Sequence, residues 1–584
     1  MDLQLALTDA VRHHQGGQLA EAEAKYRAIL NQAPDQPDAL HLLGVLRTQR
    51  GDPADGIPLI RRAIRLRPES PAFHNNLGKA LAETGDRAGA IASYRHAARL
   101  GPDYAEAHYN LGVALQEAED HLAAESAYRR VLQLNPAHYK AVVNLSAVLM
   151  ALARPHDAFE LLQTARNAKP DDPGTARALI TAVLYDPEAD EATRLLEYQR
   201  LERQFARPAY ARRRAFANSR EPDRRLRIGW ISSDFRDHPV ARNLEPIFSG
   251  CDRTRFEMTC YADVAKPDAT TALFQSLAAR WRPIMQRTDD EVAELIRSDG
   301  IDILVILAGR FDHNRYLIGA YGAAPVQISL FDGGTSGITG VDYIVADPVL
   351  VPRQLTEYFT ERVVRLPSLY VYPVPPAVPA VAPPPSATTG RITLGSFNNP
   401  IKVNDRVVAL WAAVMRELPD ARLHLKYRNR FAPLRDSLAR SLAAEGVTGD
   451  RLEVGDRLLD QESHLSLYND VDVALDTFPF TGSTTTFEAL WMGVPVITLV
   501  GDHMAARWSA SILRAARLDE LVATTPREFV EKAVALARDP VRLADLRGQL
   551  RERVARSPLC DGRGRARQFE RLFRAAWGRW CART

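Results

Sequence analysis

The chain has 584 residues, 46% apolar and 25% charged, an ordinary balance for folded proteins that excludes a disordered or fibrous class. Lys and Arg number 75 against 72 Asp and Glu, so the net charge of +3 gives no reason to expect a nucleic-acid partner. Domain-size scaling divides such a length into about three or four units.

The opening residues, MDLQLALTDAVRHH, carry an acidic second residue and no long apolar run, so they do not read as a secretory signal. No stretch reaches the ~18 apolar residues of a membrane helix, and no membrane partner is expected. Cys251, Cys260, Cys560 and Cys581 lie far apart in no metal-like spacing. Free thiols in a reducing compartment are expected, which places the protein in the cytoplasm.

Residues 1–172 repeat every 34 positions, as Pro34, Pro68, Pro102, Pro136 and Pro170 show. Small residues keep the same step at Gly44, Gly78, Gly112 and Ser146, and again at Ala22, Gly56, Ala90, Ala124 and Ala158. Tyr26, Ile60, Tyr94, Tyr128 and Leu162 supply a bulky partner. Small residues let two helices approach, large ones fill the seam, and proline ends the second helix. This predicts about five tetratricopeptide-like hairpins stacked into an α-superhelix, its concave wall lined by first helices.

Asn76, Asn110 and Asn144 recur at the same step and would form a ladder on that wall. An amide both donates and accepts, so such a row could grip the backbone of an extended polypeptide acceptor. Equally, it could satisfy groups within the repeats. The ladder resembles the one in the animal O-linked N-acetylglucosamine transferase.

Residues 173–225 read as a helical connector closing in an Arg-rich stretch. From 226 to 372 short apolar runs alternate with amphipathic helices: 226–235, 256–263, 302–309, 326–331 and 342–347. That pattern means a parallel sheet covered on both faces. The Pro-rich stretch 373–390 reads as a stiff linker. The alternation restarts over 391–556, with runs at 391–398, 421–427, 451–456, 472–477 and 495–500, so two Rossmann-like domains are expected. Residues 557–584 form a helical tail whose aromatic residues should pack on the core.

Ligands of doubly wound sheets bind beyond the carboxyl ends of strands. The segment ALDTFPFTGSTTTFEALWMGVPVITL (474–499) reads as strand, turn, helix and strand. Gly482 frees the backbone, and Ser483, Thr484 and Thr485 place N–H groups and hydroxyls at a helix N-terminus, where phosphate is attracted. Glu488 stands one turn on, where a carboxylate can accept from two ribose hydroxyls. Together these describe a nucleoside diphosphate site.

This segment resembles the donor-binding motif shared by O-linked N-acetylglucosamine transferases and the plant SPINDLY proteins, and the likeness runs over nearly the whole chain. It implies a GT-B type glycosyltransferase fold behind the repeats. It also implies an inverting enzyme that uses UDP-GlcNAc and releases UDP, with no metal or other cofactor. A family lysine that meets the diphosphate corresponds to Lys402 in GSFNNPIKVND, with Asn399 as a neighbouring polar contact. In WISSDFRDHPVAR (230–242) the resemblance makes His238 the base or acceptor-orienting residue and Asp234 its supporting carboxylate. Gly334 and Thr335 of DGGTSG match a loop that approaches the donor sugar.

The sequence departs from the family at Ile306, Gly309, Arg310 and Phe311, at Asp332-Gly333, and at Arg242 and Ser483. Asp470-Val471-Asp472 spells a metal-binding D-x-D but runs into a buried strand. Alternatives are O-fucosyl transfer from a guanosine nucleotide, sugar transfer to Asn, or a nucleotide-binding repeat scaffold without transferase activity.

Overall fold

A computed structural model describes residues 2–311, 313–354, 357–374, 378–426, 432–455 and 461–583. Tyr427 and Asp456, which close two of the expected strands, and residues 375–377 of the Pro-rich stretch lie outside them. The chain divides into two compact units: Met1–Leu152 with Glu160–Lys169, and Ala153–Phe159 with Pro170–Thr584. Among the described residues no helix is long and apolar enough to cross a membrane.

The first unit is built of helical hairpins. Helices Leu3–Gln15 and Leu19–Gln32 begin the series, followed by Pro37–Gln49 with Pro53–Leu66, Pro71–Glu83 with Arg87–Leu100, and Ala105–Glu117 with His121–Leu134. Tyr139–Ala151 with Pro155–Ala168 continues it. Prolines open several helices at the first position, where no N–H is missed. The recurring bulky residues fill the seams, with Tyr26, Ile60 and Tyr128 wholly buried. A Cβ on Gly78 or Gly112 would lie 2.6 Å from the ring of Tyr94 or Tyr128, so only glycine admits those rings.

The second unit holds two parallel sheets. Strands β1 (Leu226–Ser232), β2 (Phe256–Ala262), β3 (Arg280–Pro283), β4 (Ile303–Leu307), β5 (Val326–Leu330), β6 (Tyr343–Ala346) and β7 (Arg362–Arg365) form the first, in order β3-β2-β1-β4-β5-β6-β7. Strands β8 (Thr393–Ser396), β9 (Arg422–Lys426), β10 (Leu452–Gly455), β11 (Val473–Leu475), β12 (Val496–Leu499) and β13 (Val522–Ala523) form the second, in order β10-β9-β8-β11-β12-β13. In each lobe the order reverses beside the first strand, opening a crevice at the carboxyl ends of β1 and β4 and of β8 and β11. The ten expected strands are present. Edge strands β3, β7 and β13 were not expected, being short and, in β3 and β7, too polar to stand out.

The two segments read as connector and linker, and the helical tail, are integral to this unit. Within 173–225, Ile180, Tyr198 and Leu201 are buried in the first lobe's core, while the Tyr185 ring stacks 4.2 Å from Phe480 of the second lobe. In the Pro-rich stretch, Ala382 N–H donates to Asn469 and Ser386 Oγ to Asp472, so its described part is fastened to the second lobe. The final helix, Gly562–Cys581, returns to the first lobe and packs on helix Pro239–Gly250, with Phe573 edge-on to Trp230 at 5.9 Å.

Candidate active site

The turn after β11 is the best-defined feature of the crevice. Asp476 accepts from Gly482 N–H (2.9 Å), Asn398 Nδ2 (3.1 Å) and Thr498 Oγ1 (2.6 Å), which pins the turn to β8 and β12. A Cβ on Gly482 would lie 2.6 Å from Thr486 Oγ1, so the turn closes only on glycine. Helix Thr484–Trp491 follows, and its first N–H groups have no partner inside the helix. Thr485 Oγ1 donates to Asn398 Oδ1, Thr486 Oγ1 meets Ser509 Oγ, and Thr484 Oγ1 is buried with no partner among the described residues. Ser483 sits at the N-cap without a side-chain cap bond.

Lys402 approaches the same turn from the neighbouring strand of the same sheet, after β8. Its Nζ donates to the Thr481 carbonyl at 2.8 Å and lies 4.8 Å from the Phe480 ring centroid. Burial pulls the ammonium down to about 8, Asp476 partly opposing the shift. Asn399 is exposed, and its side chain caps Ile401 N–H. The adjacent Asn398, buried and bonded to both Asp476 and Thr485, is the amide that holds the site. Two neighbouring asparagines past a strand end gave no signal as to which one points inward.

Glu488 is buried and already engaged. Its Oε2 faces His464 Nε2 at 3.0 Å, and its Oε1 lies 3.5 Å from Arg242 Nη1 of the first lobe. His464 also meets Lys426, and its ring lies 6.4 Å from Phe397. Neither His464 nor Lys426 was singled out in the sequence, because they come from segments far apart in the chain. Glu488, Thr484, Arg242, Tyr372 and Trp491 are among the residues lining an interlobe cavity of ≈ 420 Å³, whose lining does not include Lys402. Tyr372 closes the lobes by stacking on Phe487 at 4.1 Å.

On the first lobe, Asp234 and His238 follow β1 as expected, with Oδ2 and Nδ1 3.7 Å apart, beyond hydrogen-bond range. Asp234 instead accepts from Asn314 Nδ2 (2.8 Å) and Ser233 Oγ (3.1 Å). Asn314 Oδ1 in turn accepts from Ser232 Oγ and Ser233 N–H, so this buried amide orients the carboxylate. His238 caps helix Pro239–Gly250, its Nδ1 accepting from Val240 N–H at 3.3 Å. With Nδ1 as acceptor, the neutral ring carries its proton on Nε2 and donates there.

Thr335 is turned into the protein: its hydroxyl bonds Glu361 Oε2 at 2.7 Å and Thr360. Gly334 brings the loop beside Glu357 and Tyr198, each 3.4 Å from where a Cβ would stand. Burial raises the Glu357 carboxyl to about 8. Asp472 of the D-x-D is fully buried and spent on Ser386 and on Thr393 N–H. Among the described residues no three His, Cys, Asp or Glu converge on a cation position.

In the repeat unit, each ladder amide donates to the preceding repeat. Asn76 Nδ2 meets His41 Nε2 (2.9 Å), Asn110 Nδ2 meets Asn75 Oδ1 (2.9 Å), and Asn144 Nδ2 meets Tyr109 OH (3.3 Å) and Tyr128 OH. The ladder therefore staples repeats together, leaving its Oδ1 atoms as its acceptors.

Two facing Rossmann-like lobes, with a hydroxyl-rich helix N-terminus and a half-buried lysine at one crevice, constitute the GT-B architecture of glycosyltransferases. The chain belongs to glycosyl transferase family 41, which it matches over residues 203–372 and 388–569, and tetratricopeptide repeats match over 10–71, 41–105, 75–122 and 115–183. A solved mutant of the Thermobaculum terrenum O-GlcNAc transferase is 34% identical with a TM-score of 0.78, covering 88% of this chain and 98% of that one. The SPINDLY protein of Solanum lycopersicum, described as a probable UDP-N-acetylglucosamine–peptide N-acetylglucosaminyltransferase, is 34% identical over 386 residues, 64% of this chain and 41% of that protein. The UDP-N-acetylglucosamine–peptide N-acetylglucosaminyltransferase of Caenorhabditis elegans is 25% identical over 477 residues, 61% of this chain and 41% of that protein. This chain thus spans about two fifths of the length of the curated relatives it matches.

Proposed function

We propose that this chain transfers N-acetylglucosamine from UDP-GlcNAc to Ser and Thr hydroxyls of proteins recruited by its repeat array, in the cytoplasm and without a metal. The observation that carries the reading is Lys402, held by the Thr481 carbonyl beside the Ser483–Thr485 helix start. An ammonium and exposed peptide N–H groups on one turn suit a pyrophosphate, and they meet the charge that grows on UDP as it leaves. The uridine donor for which the relatives are named supports this choice over a guanosine nucleotide.

In this mechanism the acceptor hydroxyl attacks the anomeric carbon with inversion while the bond to UDP breaks, and the hydroxyl proton passes to an oxygen of the departing diphosphate. His238, donating from Nε2, orients the acceptor or donor oxygen, and Asp234 is kept in place by Asn314. The crevice supplies proximity. Glu488 takes the ribose hydroxyls on exchange with Arg242 or His464. Free thiols at Cys251, Cys260, Cys560 and Cys581 accord with a reducing compartment.

Incubation with labelled UDP-GlcNAc, or labelled GDP-fucose, and acceptor proteins tests this. Label from the uridine donor on Ser or Thr supports it. Label from the guanosine donor alone, label on Asn, or none at all replaces it with the fucosyl, Asn-transfer or scaffold reading.

A further inference from the structure

The second helices of the repeats carry another 34-residue series that the hairpin packing does not use. Arg27, Arg61, Arg95 and Arg129 each follow one of the buried seam residues. In a structural repeat, equal sequence steps place equal residues on one face. All four are exposed, and Arg65 and Arg99 extend the row one turn along. Arg27 and Arg129 are tied to acidic residues of their own helices, Glu23 and Glu125. Among the described residues, Arg61, Arg65 and Arg95 make no ion pair.

Between helices Arg87–Leu100 and His121–Leu134 this face opens into a groove of ≈ 670 Å³. Arg95, Arg99, Arg129 and Arg130 line it, and no acidic residue does. Its floor is apolar, from Leu111 and Leu115 of the helix beneath. Arg129 and Arg130 are paired with Glu125 and Asp103, whereas Arg95 and Arg99 stand on helix Arg87–Leu100, which contains no acidic residue, so these two carry the positive field over the groove.

We propose that this groove docks an acidic, partly apolar segment of a partner protein, on a face separate from the asparagine ladder. Guanidinium groups at the rim pair with carboxylates, and the floor takes intervening aliphatic side chains. A nucleic acid would satisfy the rim alone and leave the apolar floor unused. The groove lies wholly within the repeat unit, so the inference does not depend on the donor site.

Fluorescence anisotropy of a dye-labelled peptide alternating Glu and Leu, titrated with the full chain, tests it. Saturable binding that weakens with salt is expected, falling on the order of tenfold or more in the R95E/R99E double variant. That variant should instead bind a peptide alternating Lys and Leu, with UDP affinity and far-ultraviolet circular dichroism unchanged. No saturable binding, equal binding of a Gln–Leu peptide, or preference for a single-stranded oligonucleotide of equal charge overturns the proposal.

Discussion

Arg310 and Asp332 form a buried ion pair, Nε to Oδ1 2.7 Å, with side chains 4% and 1% exposed. Both are departures from the family, in segments 22 positions apart, and the structure makes them one feature. The guanidinium also donates to Tyr198 OH at 2.6 Å and to the Thr335 carbonyl, tying connector, loop and lobe together. The residues at positions 310 and 332 thus satisfy one another inside the first lobe.

Breaking that pair strands a buried charge, at a cost of about 3–5 kcal/mol. Asp332→Asn should lower the melting temperature clearly, whereas Arg310→Met with Asp332→Leu should recover most of the loss. Thermal denaturation of the two variants checks this. A double variant no more stable than Asp332→Asn would refute the coupling.

Asn398 and Asn399 offer a test of which amide serves the site. Asn398→Ala removes two side-chain bonds to the donor turn and should weaken UDP binding about tenfold. Asn399→Ala, at an exposed cap, should change it little. Calorimetric titration of both variants gives the comparison.

UDP binding is expected to depend on pH through Lys402. With its ammonium lowered to about 8 in the free protein, a neighbouring diphosphate favours the charged form and raises it again. Binding at about pH 8.5 should therefore take up a proton, and affinity should fall as pH rises through 8. Titration in buffers of differing ionisation enthalpy reads the proton directly.

Asn110→Ala leaves the fully buried Asn75 without its donor, which costs about 1–3 kcal/mol. The repeat unit should unfold at lower temperature. An unchanged melting curve would show that the ladder does not staple the repeats.

The repeats and both lobes were legible because each rests on a strict period: 34 residues for the hairpins, and apolar runs alternating with helices for the sheets. The turn at Gly482 was legible because a glycine and four hydroxyl residues in a row have few other uses. What sequence did not show depends on contacts between distant segments. The return of Gly562–Cys581 to the first lobe, the bracing of Phe480 by Tyr185, and the His464–Glu488 and Arg310–Asp332 pairs leave no local pattern. Side-chain direction was equally hidden, so Thr335 and Asn399 matched a motif while their polar atoms serve the protein's own backbone and side chains.

The most direct test is transfer of labelled N-acetylglucosamine by Lys402→Ala beside the unaltered protein, with UDP affinity measured on both. The account predicts loss of turnover and weakened UDP binding, with the fold intact by circular dichroism. A variant that labels acceptors at the unaltered rate would contradict it, since no ammonium would then be needed where the pyrophosphate is placed.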